Sequence, residues 1–175
     1  MADILQEKWM RGVAITTTVL AVMTSIVSAQ SNNCTASTQL LTTQEAMEWQ
    51  YFQAKSLRLQ FIEVQKGILR TQQLANPEEA GREGISPLMK AYNEENFIVE
   101  TKKNEIEARA KALGKKKTIV AKQGFNFMIA VVFFQIAIML SSVSALLHRK
   151  ALWIVGLLFG CVAIVFFANG FFLVF

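Results

Sequence analysis

Reactive residues are scarce in this sequence. Its 175 residues hold one histidine, His148, two cysteines, Cys34 and Cys161, and two prolines, Pro77 and Pro87. A single histidine leaves no room for a histidine-based metal site or a histidine-assisted nucleophile. Two cysteines cannot make a disulfide framework, and neither has another beside it. No P-loop, GxGxxG or GxSxG motif is present. The adjacent pairs Glu78–Glu79 and Glu94–Glu95 do not converge on a substrate by themselves. No catalytic, cofactor-binding or metal-binding residue is therefore expected, and no enzyme activity. The net charge of +5 is modest and no base-reading motif accompanies it, so nucleic acid is not an expected partner.

Charge is also missing, from three places. Gly12–Ala29, Phe125–Leu147 and Leu152–Phe175 contain no Asp, Glu, Lys or Arg. Together they make 65 residues, and the other 110 hold all 31 charges, so the rest of the chain is charged at an ordinary soluble level. This distribution predicts an integral membrane protein with a polar helical insert. It excludes a Rossmann, barrel or hydrolase domain, because the insert is too short and too helical in pattern. The layout expected is all-α. Residues 1–29 form an anchor helix, 30–124 an extramembrane helical hairpin and 125–175 a transmembrane helix pair.

The first span is the shortest. Gly12–Ala29 covers about 27 Å as a helix, just under the hydrocarbon thickness. Val27-Ser28-Ala29 before Gln30 fits a signal-peptide cleavage site. Trp9 fits an interfacial anchor, and the retained anchor is the favoured reading. Thr17, Ala21, Ser25 and Ala29 recur every four residues and suggest a small-residue packing face. Spans 2 and 3 are joined only by Leu147–Leu152. Gly156 and Gly160 form a GxxxG pair suited to close helix approach, most simply to span 2 of the same chain. Gln135 and Asn169 are the amides deep in spans 2 and 3, expected to serve as intramembrane polar contacts.

In the insert, Ser31–Thr38 reads as a polar loop with Ser37 or Thr38 as helix N-cap. Two arms follow, separated by a turn over 76–87 with Pro77, Gly81, Gly84 and Pro87. In arm 1, Leu40, Met47, Ala54, Phe61, Ile68 and Ala75 are spaced by seven. In arm 2, so are Ile85, Tyr92, Val99, Ile106, Leu113 and Val120. Two such series predict an antiparallel coiled-coil hairpin. Leu57 and Val64 fill companion positions, whereas Thr43, Gln50 and Thr71 are polar, as are Glu95, Lys102 and Arg109 in arm 2. Leu41, Trp49, Tyr51, Phe52, Leu59, Ile62 and Leu69 lie off the arm-1 stripe. An apolar face that wide suggests a second contact, with another copy of the chain.

The short His148-Arg149-Lys150 loop, with Lys8 and Arg11 before span 1, places the N-terminus in the cytoplasm and the hairpin outside. Arg109, Lys111, Lys115, Lys116, Lys117 and Lys122 on the hairpin side oppose this, but long inserts translocate largely regardless of charge. Lys115, Lys116 and Lys117 are candidate contacts for lipid head groups, although a solvated helix face is the simpler reading.

Several segments carry a family resemblance. Glu7-Lys8-Trp9-Met10-Arg11-Gly12-Val13-Ala14-Ile15-Thr16-Thr17-Thr18-Val19-Leu20-Ala21-Val22 is one, and Glu48-Trp49-Gln50-Tyr51-Phe52-Gln53-Ala54-Lys55-Ser56-Leu57 another. Phe134-Gln135-Ile136-Ala137-Ile138 and Leu146-Leu147-His148-Arg149-Lys150-Ala151-Leu152-Trp153 complete the set. The chain resembles, over nearly its whole length, a bacterial family catalogued as domain of unknown function 4337. One departure is the loop, where the family tends to carry more arginines. The resemblance implies a bacterial membrane protein of this three-span layout and brings no activity, cofactor or site residue; the expected location is the inner membrane. The expected partners are the lipid bilayer, further copies of the chain in a homo-oligomer and other membrane-protein subunits. The expected role is a scaffold or interaction protein. The alternatives are a pore lined by Gln135, Ser141, Ser144 or Asn169, and an accessory subunit of a larger complex.

Overall fold

The computed structural model describes residues 2–75 and 85–172, with side chains described over 9–75 and 87–172. The expected turn over 76–87 therefore lies largely outside the described residues. Among them the chain is helical, without strands, in three elements: α1 (Ala2–Ala75), α2 (Ile85–Leu147) and α3 (Lys150–Phe172). All three are long and apolar enough to cross a membrane by length and composition.

α1 runs unbroken through the segment expected to be a loop. Ser31–Thr38 is helical because it has neither Gly nor Pro, and both of its threonine hydroxyls bond back onto the helix. Thr35 Oγ1 donates to Ser31 O at 3.0 Å, and Thr38 Oγ1 to Cys34 O at 2.8 Å. Cys34 is buried within the segment, so packing adds to the local bonds. No N-cap exists at Ser37 or Thr38, since the helix does not start there.

The chain divides into two compact units. One contains Met1–Leu40 and Lys117–Phe175, the other Leu41–Lys116. In the first, Val13, Leu20, Val27 and Cys34 of α1 are buried at a spacing of seven. α2 contributes Phe127, Ala130, Phe134 and Ala137, and α3 contributes Ala163. The expected small-residue face of α1 is not the packing face: Ala21, Ser25 and Ala29 are exposed. A four-residue repeat drifts about 40° around a helix at each step and leaves the seam, whereas a seven-residue repeat stays close to it. The hydroxyls on that face bond back to their own helix, Thr17 to Val13 O at 2.8 Å and Ser25 to Ala21 O at 3.1 Å.

α3 packs closely on α2 at Gly156 and on α1 at Gly160. A Cβ on Gly156 would lie 3.1 Å from both Ala137 O and Ser141 Oγ, and one on Gly160 3.2 Å from Leu20 Cδ2. The GxxxG pair is thus used inside the chain. An aromatic cluster extends the contact: Phe127 meets Phe171 at 5.1 Å between centroids, and Phe133 stacks on Phe159 and Phe166 at 5.8 and 5.7 Å. Trp153 Nε1 donates to Thr16 Oγ1 at 3.1 Å, tying α3 to α1.

The α2–α3 connection is two residues long and closed by hydrogen bonds. His148 takes the left-handed conformation, with φ 54°. Arg149 N donates to Ser144 O at 3.2 Å, the six-to-one bond of a Schellman end. Ser144 Oγ donates to Arg149 O at 2.8 Å.

Candidate functional site

In the unit formed by Leu41–Lys116, α1 and α2 run antiparallel. Lys103 sits over the Phe52 ring at 5.1 Å, Asn96 Nδ2 donates to Glu63 Oε1 at 3.0 Å, and Arg58 pairs with Glu95. Residue numbers fall on α1 as they rise on α2.

The seam of α1 against α2 has a definite register. Leu41 and Ile62 are buried, and Glu45, Glu48, Phe52, Lys55, Leu59, Lys66 and Leu69 are half-buried. These positions alternate by three and four. On α2 the matching positions are Tyr92, Asn96, Val99, Lys103, Ile106, Ala110 and Leu113, with Val99 and Ala110 buried.

The expected arm-2 stripe lies on this seam at Tyr92, Val99, Ile106 and Leu113; the side chain of Ile85 lies outside the described residues. The expected arm-1 stripe does not face α2. Leu40, Met47, Ala54, Phe61 and Ile68 are exposed, as are the companions Leu57 and Val64. Phe61 is 62% exposed while its neighbour Ile62 is 2% exposed, so the seam is displaced by one residue. The reason is chemical. The seam admits the long side chains of Glu48, Lys55, Glu45 and Lys66, all half-buried there, and the Glu45 carboxylate lies close against Gly114 of α2, where an added Cβ would be 2.9 Å from its Oε1. That makes the buried stripe look more polar in sequence than the exposed one.

α1 thus has two stripes, about 150° apart around the helix. One is spent on α2. The other holds Leu40, Met47, Leu57, Phe61, Val64 and Ile68, flanked by Tyr51 and Leu74. The outward face of α2 differs. Apart from Leu88, Phe97 and Ile98 it presents mainly charges, including Lys90, Glu94, Glu100, Lys102, Glu105 and Arg109. Water suits the outside of α2 and does not suit the outside of α1.

The remaining sequence candidates distribute as follows. Gly156, Gly160 and Asn169 are buried within the chain, and Gln135 is exposed. Ser141 and Ser144 are fully buried. Lys115 and Lys116 are exposed and Lys117 is half-buried. Lys111 pairs with Glu107 at 2.5 Å, and its hydrogen bond and then its charge hold the Glu107 carboxyl below the usual carboxylate range. Burial pushes the Cys34 thiol up. Among the described residues no group of three or more His, Cys, Asp or Glu is placed to hold a metal ion.

The family model described as Domain of unknown function (DUF4337) matches residues 9–173 of the chain. Neither a curated protein nor a solved structure matches it.

Proposed function

The chain belongs to the domain of unknown function 4337 family, and we propose that it is a non-enzymatic membrane scaffold that assembles into a homo-oligomer. Three helical segments anchor it in the bilayer: the first part of α1, the second part of α2 and the whole of α3. The segment between the first two is a coiled-coil hairpin that presents a contact surface. The membrane is the inner membrane of a bacterium, with the N-terminus in the cytoplasm and the hairpin outside.

The observation that supports this reading is the second stripe of α1. A helix with one stripe on its partner and another apolar stripe in water is incomplete as a two-helix hairpin. Helices with two such faces occur in bundles, where each face has a partner. A pore has less support. Three of the four side chains considered for its lining, Ser141, Ser144 and Asn169, are buried within one chain and so are not available to a path between copies.

The test is the molar mass of the purified protein in mild detergent, by light scattering with the detergent contribution subtracted. A multiple of the 19.6 kDa chain supports the scaffold reading. A monodisperse single chain overturns it.

A further inference from the structure

We infer that the outward stripe of α1 is covered by the same stripe of a second copy, the two α1 segments lying parallel and in register from Leu40 to Ala75. The inference rests on the scaffold reading above and adds the partner, the face and the alignment.

The stripe specifies a helix as its occupant. Leu40, Met47, Ala54, Phe61, Ile68 and Ala75 repeat every seven residues, with Thr43, Gln50, Leu57, Val64 and Thr71 between them. A sustained repeat of this kind matches a helix of equal period and similar length. Eight large apolar side chains lie exposed on and beside it. At roughly 100 Å² each they offer about 800 Å² per copy, the amount one partner gives to a standard stable interface.

The flanks point to an identical partner. Coiled coils choose different partners through charges beside the seam. Here the stripe and its flanks, 22 positions from Gln39 to Ala75, hold one charge, Arg58. The other six charges of α1 between Leu41 and Ala75 lie at the remaining positions: Glu45, Glu48, Lys55, Glu63, Lys66 and Arg70. Glutamines occupy the flanks instead, at 39, 44, 53, 60, 65 and 72. Two copies meet without like-charge repulsion. A lipid surface is disfavoured, since a helix lying on anionic lipid carries a basic polar face beside its apolar one.

The alignment follows from two residues. Gln50 is the one amide inside the stripe. In a parallel pair it meets its own copy, and an amide can both donate to and accept from an identical amide. A single polar layer of this kind fixes register. Arg58 gives the second reason. A parallel pair sets it beside Gln53 of the other copy, since flanking positions pair five residues apart. A fully overlapped antiparallel pair would instead bring the two Arg58–Glu95 pairs together and set Gln50 against apolar residues of the stripe, with no amide within the stripe to meet.

The test uses single cysteines in a C34A/C161A background, oxidised mildly in detergent, alongside the particle mass of the unsubstituted protein. Met47→Cys and Ile68→Cys are predicted each to give disulfide-linked dimers, and Arg70→Cys, on another side of α1, to give none. Two self-linking positions 21 residues apart require parallel strands, because an antiparallel pair brings only one level of the helix onto itself. Linkage only in a mixture of Met47→Cys with Ile68→Cys would overturn the parallel alignment. No linkage in any combination, with a multiple of the chain mass retained, would overturn the assigned face and leave the scaffold reading standing. A single-chain mass would overturn both.

Discussion

Replacing Ile62 or Phe61 by alanine separates the two stripes of α1 at adjacent positions. Ile62 is 2% exposed and belongs to the seam with α2. Truncation to alanine removes three carbons, worth about 2.4 kcal/mol at ~0.8 kcal/mol each, plus a cavity contribution. A two-helix seam is open at its edges and relaxes, and alanine's gain of about 0.5 kcal/mol in helix propensity offsets the small cavity contribution, so the total stays near 2.5 kcal/mol, the low end for such changes. Phe61 is 62% exposed, and little of its ring is shielded by its own chain. Alanine there gains about 0.5 kcal/mol of helix propensity, which offsets most of the residual loss. Amide hydrogen exchange across the hairpin reads the difference. Ile62→Ala is predicted to raise the local opening constant about 60-fold at any protein concentration, because 1.4 kcal/mol is tenfold. Phe61→Ala leaves it nearly unchanged in dilute protein and raises it only at concentrations where copies associate. The opposite pattern, a harmless Ile62→Ala and a concentration-independent loss in Phe61→Ala, would refute the register.

Other outcomes follow from single contacts. Gly170→Ala puts a Cβ 2.5 Å from the Phe127 ring, which is 1% exposed and held by Phe171, so thermal unfolding in detergent should show a loss of about 1–3 kcal/mol. Gly67→Ala meets nothing within 4 Å and should instead stabilise the hairpin by about 0.5–1 kcal/mol in the same assay. Cys34 is buried with its thiol pushed up, so in a C161A background it should react with maleimide at least about tenfold more slowly than a cysteine placed at the exposed Asn33. Membrane sidedness is therefore better read from Asn33→Cys than from Cys34. Glu107 is held low by Lys111, so their pairing supports α2 above the ordinary carboxylate range and is lost as pH falls through the depressed value. Lys111→Met should raise the Glu107 midpoint seen by NMR.

Much of the architecture is legible in the pattern of missing charge. Among the described residues the uncharged stretches lie in the three helices, and the break at His148–Arg149 is the only non-helical connection. The seven-residue series of α2 is legible because few other apolar residues compete with it. On α1 two stripes share one helix, and the more apolar one faces outward. Periodicity locates both without saying which meets α2. That is decided by Ile62, Leu41 and the long stems of Glu48 and Lys55, which hydropathy scores as polar. The helix through Ser31–Thr38 is hidden for a related reason. Ser and Thr signal loops when their hydroxyls compete with the backbone, but here those of Thr35 and Thr38 bond carbonyls one turn back. The two-glycine face of α3 is visible in sequence, whereas the counterpart of Gly156 around Ala137 and Ser141 is not, because small residues in an apolar span have no distinctive pattern.

The direct test of the central claim is the particle mass of the protein beside its Leu57→Glu/Phe61→Glu variant, in the same mild detergent. Both side chains are exposed within one chain, at 65% and 62%, so the variant should keep its helical circular dichroism. A multiple of 19.6 kDa is expected for the unsubstituted protein and a single chain for the variant. The same mass for both, with helicity intact, would contradict it.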